Sequence, residues 1–435
     1  MRIVVIGGGL AGSEAAWQIA RRGGEVVLYE MRPERSTPAH KTPYLAELVC
    51  SNSFKSADPS TASGLLKEEM RRLGSLIMEV AEEVKVPAGT ALAVNRTEFA
   101  KRITERIEKD PRIELIREEV REIPKEGIVL IATGPLTSDA LTSELIKLTG
   151  EENLYFYDAI SPIVDGGSID RSIVFPASRY GKGKGDYLNC PFTKEEYLRF
   201  YKELINAELV PLRPFEEERF FEGCLPIEVL AKRGEDALRF GPLKPVGLID
   251  PRTGRMPYAV AQLRAEDREG RMYSLVGFQT RLKFPEQKRV FRLIPGLSRA
   301  EFVRLGMVHQ NSYINAPKLL SPTFQLKKEP RIFIIGQLCG VEGYLESGAS
   351  GLIGGINALR KAMGREAIAP PKTTAIGALS HYIVEADPAN YQPMNIVFGI
   401  FPPLAKHYRN KRARVEAYRL RALEDLTLWM KENGL

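Results

Sequence analysis

The sequence predicts an α/β fold, a doubly wound domain with an α+β domain inserted into it, and three observations carry that prediction. Residues 3–6 (IVVI), 10–21 and 25–30 (EVVLYE) read in order as a buried strand, a helix and a second strand. The turn between the first two is Gly7-Gly8-Gly9-Leu10-Ala11-Gly12, which fits GxGxxG directly after a strand and at the opening of a helix. Between about residues 186 and 313 the texture changes to short alternating runs, and from Arg331 to Ile335 the buried-strand texture returns. The main domain is therefore expected to be discontinuous, 1–185 and 314–435, around an insert at 186–313.

Within the opening unit, Gly7 suits the tight turn, Gly9 lets a pyrophosphate approach the backbone, and Gly12 lets helix and strand pack closely. The helix N-terminus then faces the phosphate charge. Glu30 closes the second strand, where a carboxylate can accept hydrogen bonds from an adenosine ribose. Further along, Leu66, Met70, Leu73, Ile77, Val80 and Val84 alternate spacings of four and three, the stripe of one long helix. Phe99, Ile103 and Ile107 mark another helix, and a strand pair is expected at Ile113–Ile116 and Ile128–Ala132. In the insert, Tyr258–Arg264 and Met272–Phe278 flank Asp267-Arg268-Glu269-Gly270 and read as a hairpin. A strongly basic helix, from about 405 to 431, closes the chain.

With 435 residues, 44% of them apolar, the chain can bury one large core and a second, smaller one. No apolar run approaches the roughly 20 residues of a membrane span. The N-terminus opens on a strand rather than a secretion signal, so a soluble, cytoplasmic protein is expected. Lys and Arg outnumber Asp and Glu by 62 to 55, a net charge of +7 that permits a polyanionic partner. Cys50, Cys190, Cys224 and Cys339 lie far apart with no CxxC pair, so neither a metal site nor a disulfide framework is expected.

The opening βαβ unit also serves NAD and S-adenosylmethionine, and two further segments select FAD. Ile131-Ala132-Thr133-Gly134 closes a strand as flavoproteins of the glutathione-reductase type do, and Ile332-Phe333-Ile334-Ile335-Gly336 resembles their late strand that reaches the ribityl chain. The fold class is thus a Rossmann-like FAD-binding domain of that type. No second strand-GxGxxG-helix unit is present in the sequence, so NAD(P)H is expected to visit the flavin only transiently.

Several runs carry a closer resemblance: ELVCSNSFK at 47–55, FYDAISPIV at 155–163, YLNCP at 187–191, FEGCLPIE at 221–228, RFGPLKPVGL at 239–248, GQLCGVEGYLESGASGL at 336–352 and NYQPMNIVFGIFPPL at 390–404. In these the chain resembles the folate- and FAD-dependent tRNA uracil-5 methyltransferases, the TrmFO family, over essentially its whole length. The resemblance implies transfer of a one-carbon unit from methylenetetrahydrofolate to C5 of a T-loop uridine in tRNA, then reduction by flavin that NAD(P)H restores. A ribosomal RNA uridine, a small-molecule FAD oxidoreductase and a non-enzymatic RNA-binding flavoprotein remain alternatives. No membrane, metal or obligatory protein partner is expected.

Cofactor contacts are expected at Gly7, Gly8, Gly9, Leu10, Ala11, Gly12, Glu30, Arg32, Thr133, Gly134, Gly336, Gln337, Gly343 and Tyr344. The resemblance implies that His309 stacks on the folate pterin. Cys50 and Cys224, each in a turn-like or polar setting, are the expected catalytic thiols, with Lys55 a candidate cation beside Cys50. Cys224 is assigned to uracil C6 and Cys50 to the C5 proton, the reverse assignment staying open. Cys190 and Cys339 read as packing thiols. tRNA is expected on Lys406, Arg409, Lys411, Arg412 and Arg414, with Arg419 and Arg421 in the same cluster and Lys182 and Lys184 as a second strip.

Overall fold

Five parallel strands, each short and apolar, form the central sheet in the order Ile332–Ile334, Ile128–Ile131, Ile3–Ile6, Val26–Tyr29 and Ile113–Ile116. The computed structural model describes residues 2–151, 154–181, 185–211 and 225–435, with the backbone alone at 154–159 and 308–310. Ile3–Ile6 and Ile128–Ile131 are buried along their whole length, as strands covered on both faces must be. One cover is the pair of helices Leu10–Ala20 and Tyr344–Ala362. A Cβ on Gly351 would stand 2.2 Å from the Ala11 carbonyl oxygen, and one on Gly355 2.6 Å from that of Ala15. Only glycine at these positions lets the two helices meet backbone to backbone.

Three sequence expectations change here. Ile113–Ile116 and Ile128–Ile131 are both strands, but they do not pair, because Ile3–Ile6 and Val26–Tyr29 lie between them. The long helix over 66–84 is two helices, Ala62–Arg72 and Leu76–Glu83. Gly74 breaks it at φ +72°, and Ser75 restarts it by accepting the Met78 N–H. The buried Glu14 carboxylate accepts from the Ser75 hydroxyl at 2.7 Å and the Ile77 N–H at 3.0 Å, so the break is fastened to the opening helix. All six apolar residues of the stripe are buried all the same. The closing helix runs Lys411–Asn433 with Asn410 as its cap, so Lys406 and Arg409 precede it.

The second lobe is a six-stranded antiparallel sheet, in the order Phe175–Ala177, Tyr187–Phe192, Ala259–Ala265, Met272–Leu275, Ile163–Asp165 and Phe302–Arg304. Ala259–Ala265 and Met272–Leu275 are the expected hairpin, with Leu263 opposite Leu275. Helices Lys194–Ile205 and Phe284–Phe291 close a separate core around Phe192, Phe200, Phe278 and Phe291. Residues 163–165 and 175–177 belong to this sheet, and Val164, Ile169 and Val174 to its core, so the lobe reaches upstream of 186. Leu154–Ala159 and Val308–Tyr313, the segments entering and leaving the lobe, pair as a two-stranded ribbon. No described helix is long and apolar enough to cross a membrane.

Candidate functional site

The carboxyl ends of the central strands open on one cleft, where ligands bind in open α/β sheets. It is open to solvent and is lined by Gly7, Gly9, Leu10, Ala11, Glu30, Arg32, Thr133, Gly134, Gly336, Gln337 and Tyr344 among others. Helices Leu10–Ala20 and Tyr344–Ala362 both start on it, and neither start is capped by a side chain. Their first N–H groups are thus available to an anion. A Cβ on Gly9 would meet nothing within 4 Å, and neither would one on Gly134. These two positions leave the floor of the cleft open to a ligand, which is the cradle a dinucleotide pyrophosphate requires.

Gly8, Gly12 and Gly343, also expected to contact the cofactor, are not among the lining residues. Gly8 donates its N–H to Glu30 Oε2 at 2.9 Å, and a Cβ on Gly12 would lie 1.8 Å from the Gly7 carbonyl oxygen. Gly343, at φ +112°, sets the start of its helix. Each shapes the wall of the cleft. Glu30 is buried, which alone would raise its proton affinity. The hydrogen bond and charge of Arg32, with the N–H groups of Arg32 and Gly8, outweigh burial and hold the carboxyl below its usual range. Arg32 Nε sits 2.8 Å from Glu30 and its Nη1 3.1 Å from Glu47, an anchor within the 47–55 run. The ionised Glu30 accepts two hydrogen bonds on Oε1 and one on Oε2, which leaves a lone pair of Oε2 for a ribose hydroxyl.

At the other end of the cleft, Val49 and Tyr344 bring in the loop of Cys50. The Tyr344 phenol oxygen accepts the N–H of Cys50 at 2.6 Å and that of Ser51 at 3.1 Å. Burial first, then the charge of the Cys50 sulfur and a hydrogen bond to it, push the phenol well above its usual range. Arg96 Nη1 donates to the Leu48 carbonyl at 3.2 Å and Arg304 Nη2 to that of Val49 at 2.6 Å. Arg264 Nε donates to Asn52 Oδ1 at 2.7 Å, while Asn52 Nδ2 holds the carbonyls of Val94 and Ala265. Half-buried Cys50 thus sits on a loop gripped from three sides.

Lys55, the cation expected beside Cys50, is engaged elsewhere. Lys55 Nζ is 2.6 Å from Glu346 and also hydrogen-bonds Asn395. Arg96, Arg304 and Arg264 hold Leu48, Val49 and Asn52 on either side of Cys50, and two of the three come from the inserted lobe. Nothing in the local sequence signalled them, since Arg264 and Asn52 are 212 positions apart.

The second expected thiol, Cys224, lies outside the described residues, as do Lys182 and Lys184. His309 stands opposite Asp158 in the ribbon, and the ribbon strand Val308–Tyr313 packs against Gly134–Leu136 and Gly336–Cys339 at the cleft. Cys190 is fully buried in its strand, which pushes its thiol far up, and burial pushes Cys339 up to about 12. Both keep their protons at neutral pH. Lys406, Arg409, Lys411, Arg412 and Arg414 are exposed and form no ion pair among the described residues. Arg419 instead pairs with Glu416 at 2.9 Å, and Arg421 donates to the carbonyls of Pro402 and Pro403 at 2.7 and 2.9 Å. No group of three or more metal-ligating side chains occurs among the described residues.

A parallel sheet with an uncapped glycine cleft, an antiparallel lobe inserted beside it and a thiol loop at their junction define a two-lobed dinucleotide-binding protein. Residues 2–366 match the family described as glucose inhibited division protein A, to which the chain belongs. Solved structures of GidA from Aquifex aeolicus share the fold, with a TM-score of 0.71 at 18% identity over 98% of this chain and 73% or 76% of theirs. The chain is 59% identical, over 433 residues, to the methylenetetrahydrofolate–tRNA-(uracil-5-)-methyltransferase TrmFO of Heliobacterium modesticaldum, covering 100% of this chain and 99% of that protein. It is 61% identical to the TrmFO of Natranaerobius thermophilus over 411 residues, 94% of this chain and 95% of that one. Within the larger family the chain is therefore a member of the TrmFO group.

Proposed function

We propose that this protein methylates C5 of a uridine in the T-loop of tRNA, taking the one-carbon unit from methylenetetrahydrofolate. The observation that carries this reading is the meeting of the two ends of one cleft at Tyr344, which lines the cofactor side and holds the Cys50 backbone. A flavin cradle alone would suit many oxidoreductases. A flavin cradle with a cation-surrounded thiol at its mouth suits chemistry on an electrophilic ring beside the flavin.

The residues fit FAD, with Gly9 and Gly134 leaving room for it, the two helix starts facing its phosphates and Glu30 facing its ribose. Bound FAD, reduced by NAD(P)H, supplies the hydride that turns the transferred methylene into a methyl group. Uracil C5 is a poor nucleophile until a thiolate adds to C6, which pushes the C5–C6 electron pair towards C5. C5 then attacks the one-carbon unit, a second group accepts the C5 proton as the bond to the folate nitrogen breaks, and the thiolate leaves C6 once hydride has reached the exocyclic methylene. We assign Cys224 to the addition and Cys50 to the proton, the reverse order being the alternative. His309, on the ribbon beside Gly134–Leu136, is assigned to the folate ring.

For tRNA we assign Lys406, Arg409, Lys411, Arg412 and Arg414. Three of them fall in or next to the first turn of the closing helix, where there is no acidic residue. Cations there oppose the helix dipole, an arrangement that costs stability unless a phosphate answers it. The reading is tested by incubating the protein with unmodified tRNA, NAD(P)H and methylenetetrahydrofolate labelled in its methylene carbon. Label at C5 of a T-loop uridine is the expected result; flavin turnover with no label in RNA would overturn it.

A further inference from the structure

The corner around Cys50 holds more buried positive charge than its carboxylates answer. Arg96, Arg304 and Arg264 meet there on Leu48, Val49 and Asn52, and Glu266 is bound to Arg96 at 2.7 Å through one oxygen. Among the described residues, three guanidinium groups there face one carboxylate, a surplus of two. Arg96 Nη2 and Arg304 Nε are buried and have no hydrogen-bond partner among the described residues, and Glu266 Oε1 has none either. The neighbouring pair of Lys55 and Glu346 balances itself. Buried charge left unanswered is costly, so an anion belongs in this corner.

Two other groups here can carry a negative charge, Tyr344 and Cys50. The phenol of Tyr344 keeps its proton, because burial and the neighbouring sulfur both oppose its ionisation. Burial lowers the proton affinity of Arg264 and Arg304, and the Cys50 sulfur offsets part of that in both. We propose that Arg264 and Arg304, carried by the inserted lobe, hold Cys50 of the main domain as a resting thiolate and position its loop. The thiol proton leaves to solvent when the lobes pack, and the thiolate then needs no separate base before it takes the C5 proton or adds to C6. The inference rests on the proposed catalytic role of Cys50 and makes the inserted lobe the element that prepares it. Arg264 and Arg304 are positioning residues in this scheme, since they act through Cys50.

The test is alkylation of Cys50 by iodoacetamide in the full-length, flavin-loaded protein, followed by peptide mass spectrometry in a Cys224→Ser background. Cys190 and Cys339 are fully buried and do not compete. At about pH 6.5, Arg304→Gln and Arg264→Gln should each slow alkylation by about tenfold or more, and at about pH 10, where any accessible thiol is ionised, by less than about twofold. A loop merely loosened by the substitution would change both rates alike. Arg304→Lys keeps the charge but not the planar fork, and should retain most of the wild-type rate at the lower pH. Equal losses at the two pH values, no loss, or an Arg304→Lys variant as slow as Arg304→Gln would overturn the proposal. The assay contains neither RNA nor folate, so its failure leaves the methylation reading standing.

Discussion

The two ends of the cleft are built from different materials. At the nucleotide end the cradle is made of glycines, uncapped helix starts and Glu30, drawn from the first thirty residues, from 132–138 and from 336–347. At the thiol end the determinants are side chains, with Arg96, Arg264, Arg304 and Tyr344 converging on one loop from four separate elements. Backbone N–H groups recognise a phosphate wherever the turn is correct. Guanidinium charges act on a thiol only when distant strands are in register. The first end should therefore tolerate changes in the inserted lobe, and the second should not.

The largest effects separate fold from ligand within the nucleotide end. Gly12→Val drives a Cβ to 1.8 Å from the Gly7 carbonyl and should yield no stable chain, a loss of several kcal/mol. Gly9→Val, whose Cβ meets nothing within 4 Å at an ordinary φ of −72°, should keep the melting temperature of the flavin-free wild-type protein. It should nevertheless lose flavin by about 100-fold in affinity, read from absorbance near 450 nm. A yellow Gly9→Val protein would break the assignment of the cleft.

Cys50→Ala tests the other end. Flavin content and NAD(P)H oxidation should persist while uridine methylation falls by about 100-fold or more. Methylation at the wild-type rate would remove Cys50 from the mechanism. Tyr344→Phe sharpens the comparison, because Tyr344 touches both ends. It leaves the half-buried N–H groups of Cys50 and Ser51 without their acceptor, at about 1 kcal/mol for each. Methylation should fall about tenfold with flavin occupancy near wild type, whereas equal losses of both would make Tyr344 chiefly a cofactor contact.

The smallest effect lies outside the cleft. Neutralising Lys406, Arg409, Lys411, Arg412 and Arg414 should weaken tRNA binding and lower the slope of log affinity against log salt by about 0.7–0.9 for each phosphate that these cations no longer neutralise. Neutralising Arg419 and Arg421 should cost stability instead, since they hold Glu416 and the carbonyls of Pro402 and Pro403. An unchanged slope in the first variant would move the RNA surface elsewhere.

The same contrast explains how much could be read in the sequence. The GxGxxG turn, Glu30 and the late strand were legible because their chemistry is local: a strand, a turn and a helix start adjacent in the chain. The hairpin at 259–275 was legible for the same reason. The break at Gly74 was not, because its apolar stripe continues in phase through it, and the sheet order was not, because pairing depends on crossovers. Arg264 and Arg304 were invisible because only the packing of two lobes brings them to residues 49–52. Lys55 was the cation nearest in sequence, and Glu346 takes it.

That the two ends serve one reaction is tested most directly by a single anaerobic turnover. Enzyme with its flavin fully reduced is mixed with unmodified tRNA and methylenetetrahydrofolate, and the oxidised flavin absorbance is followed beside the methyluridine formed. The account predicts that the two rise together in equal amounts, and only when both substrates are present. Methyluridine formed while the flavin stays reduced would contradict it.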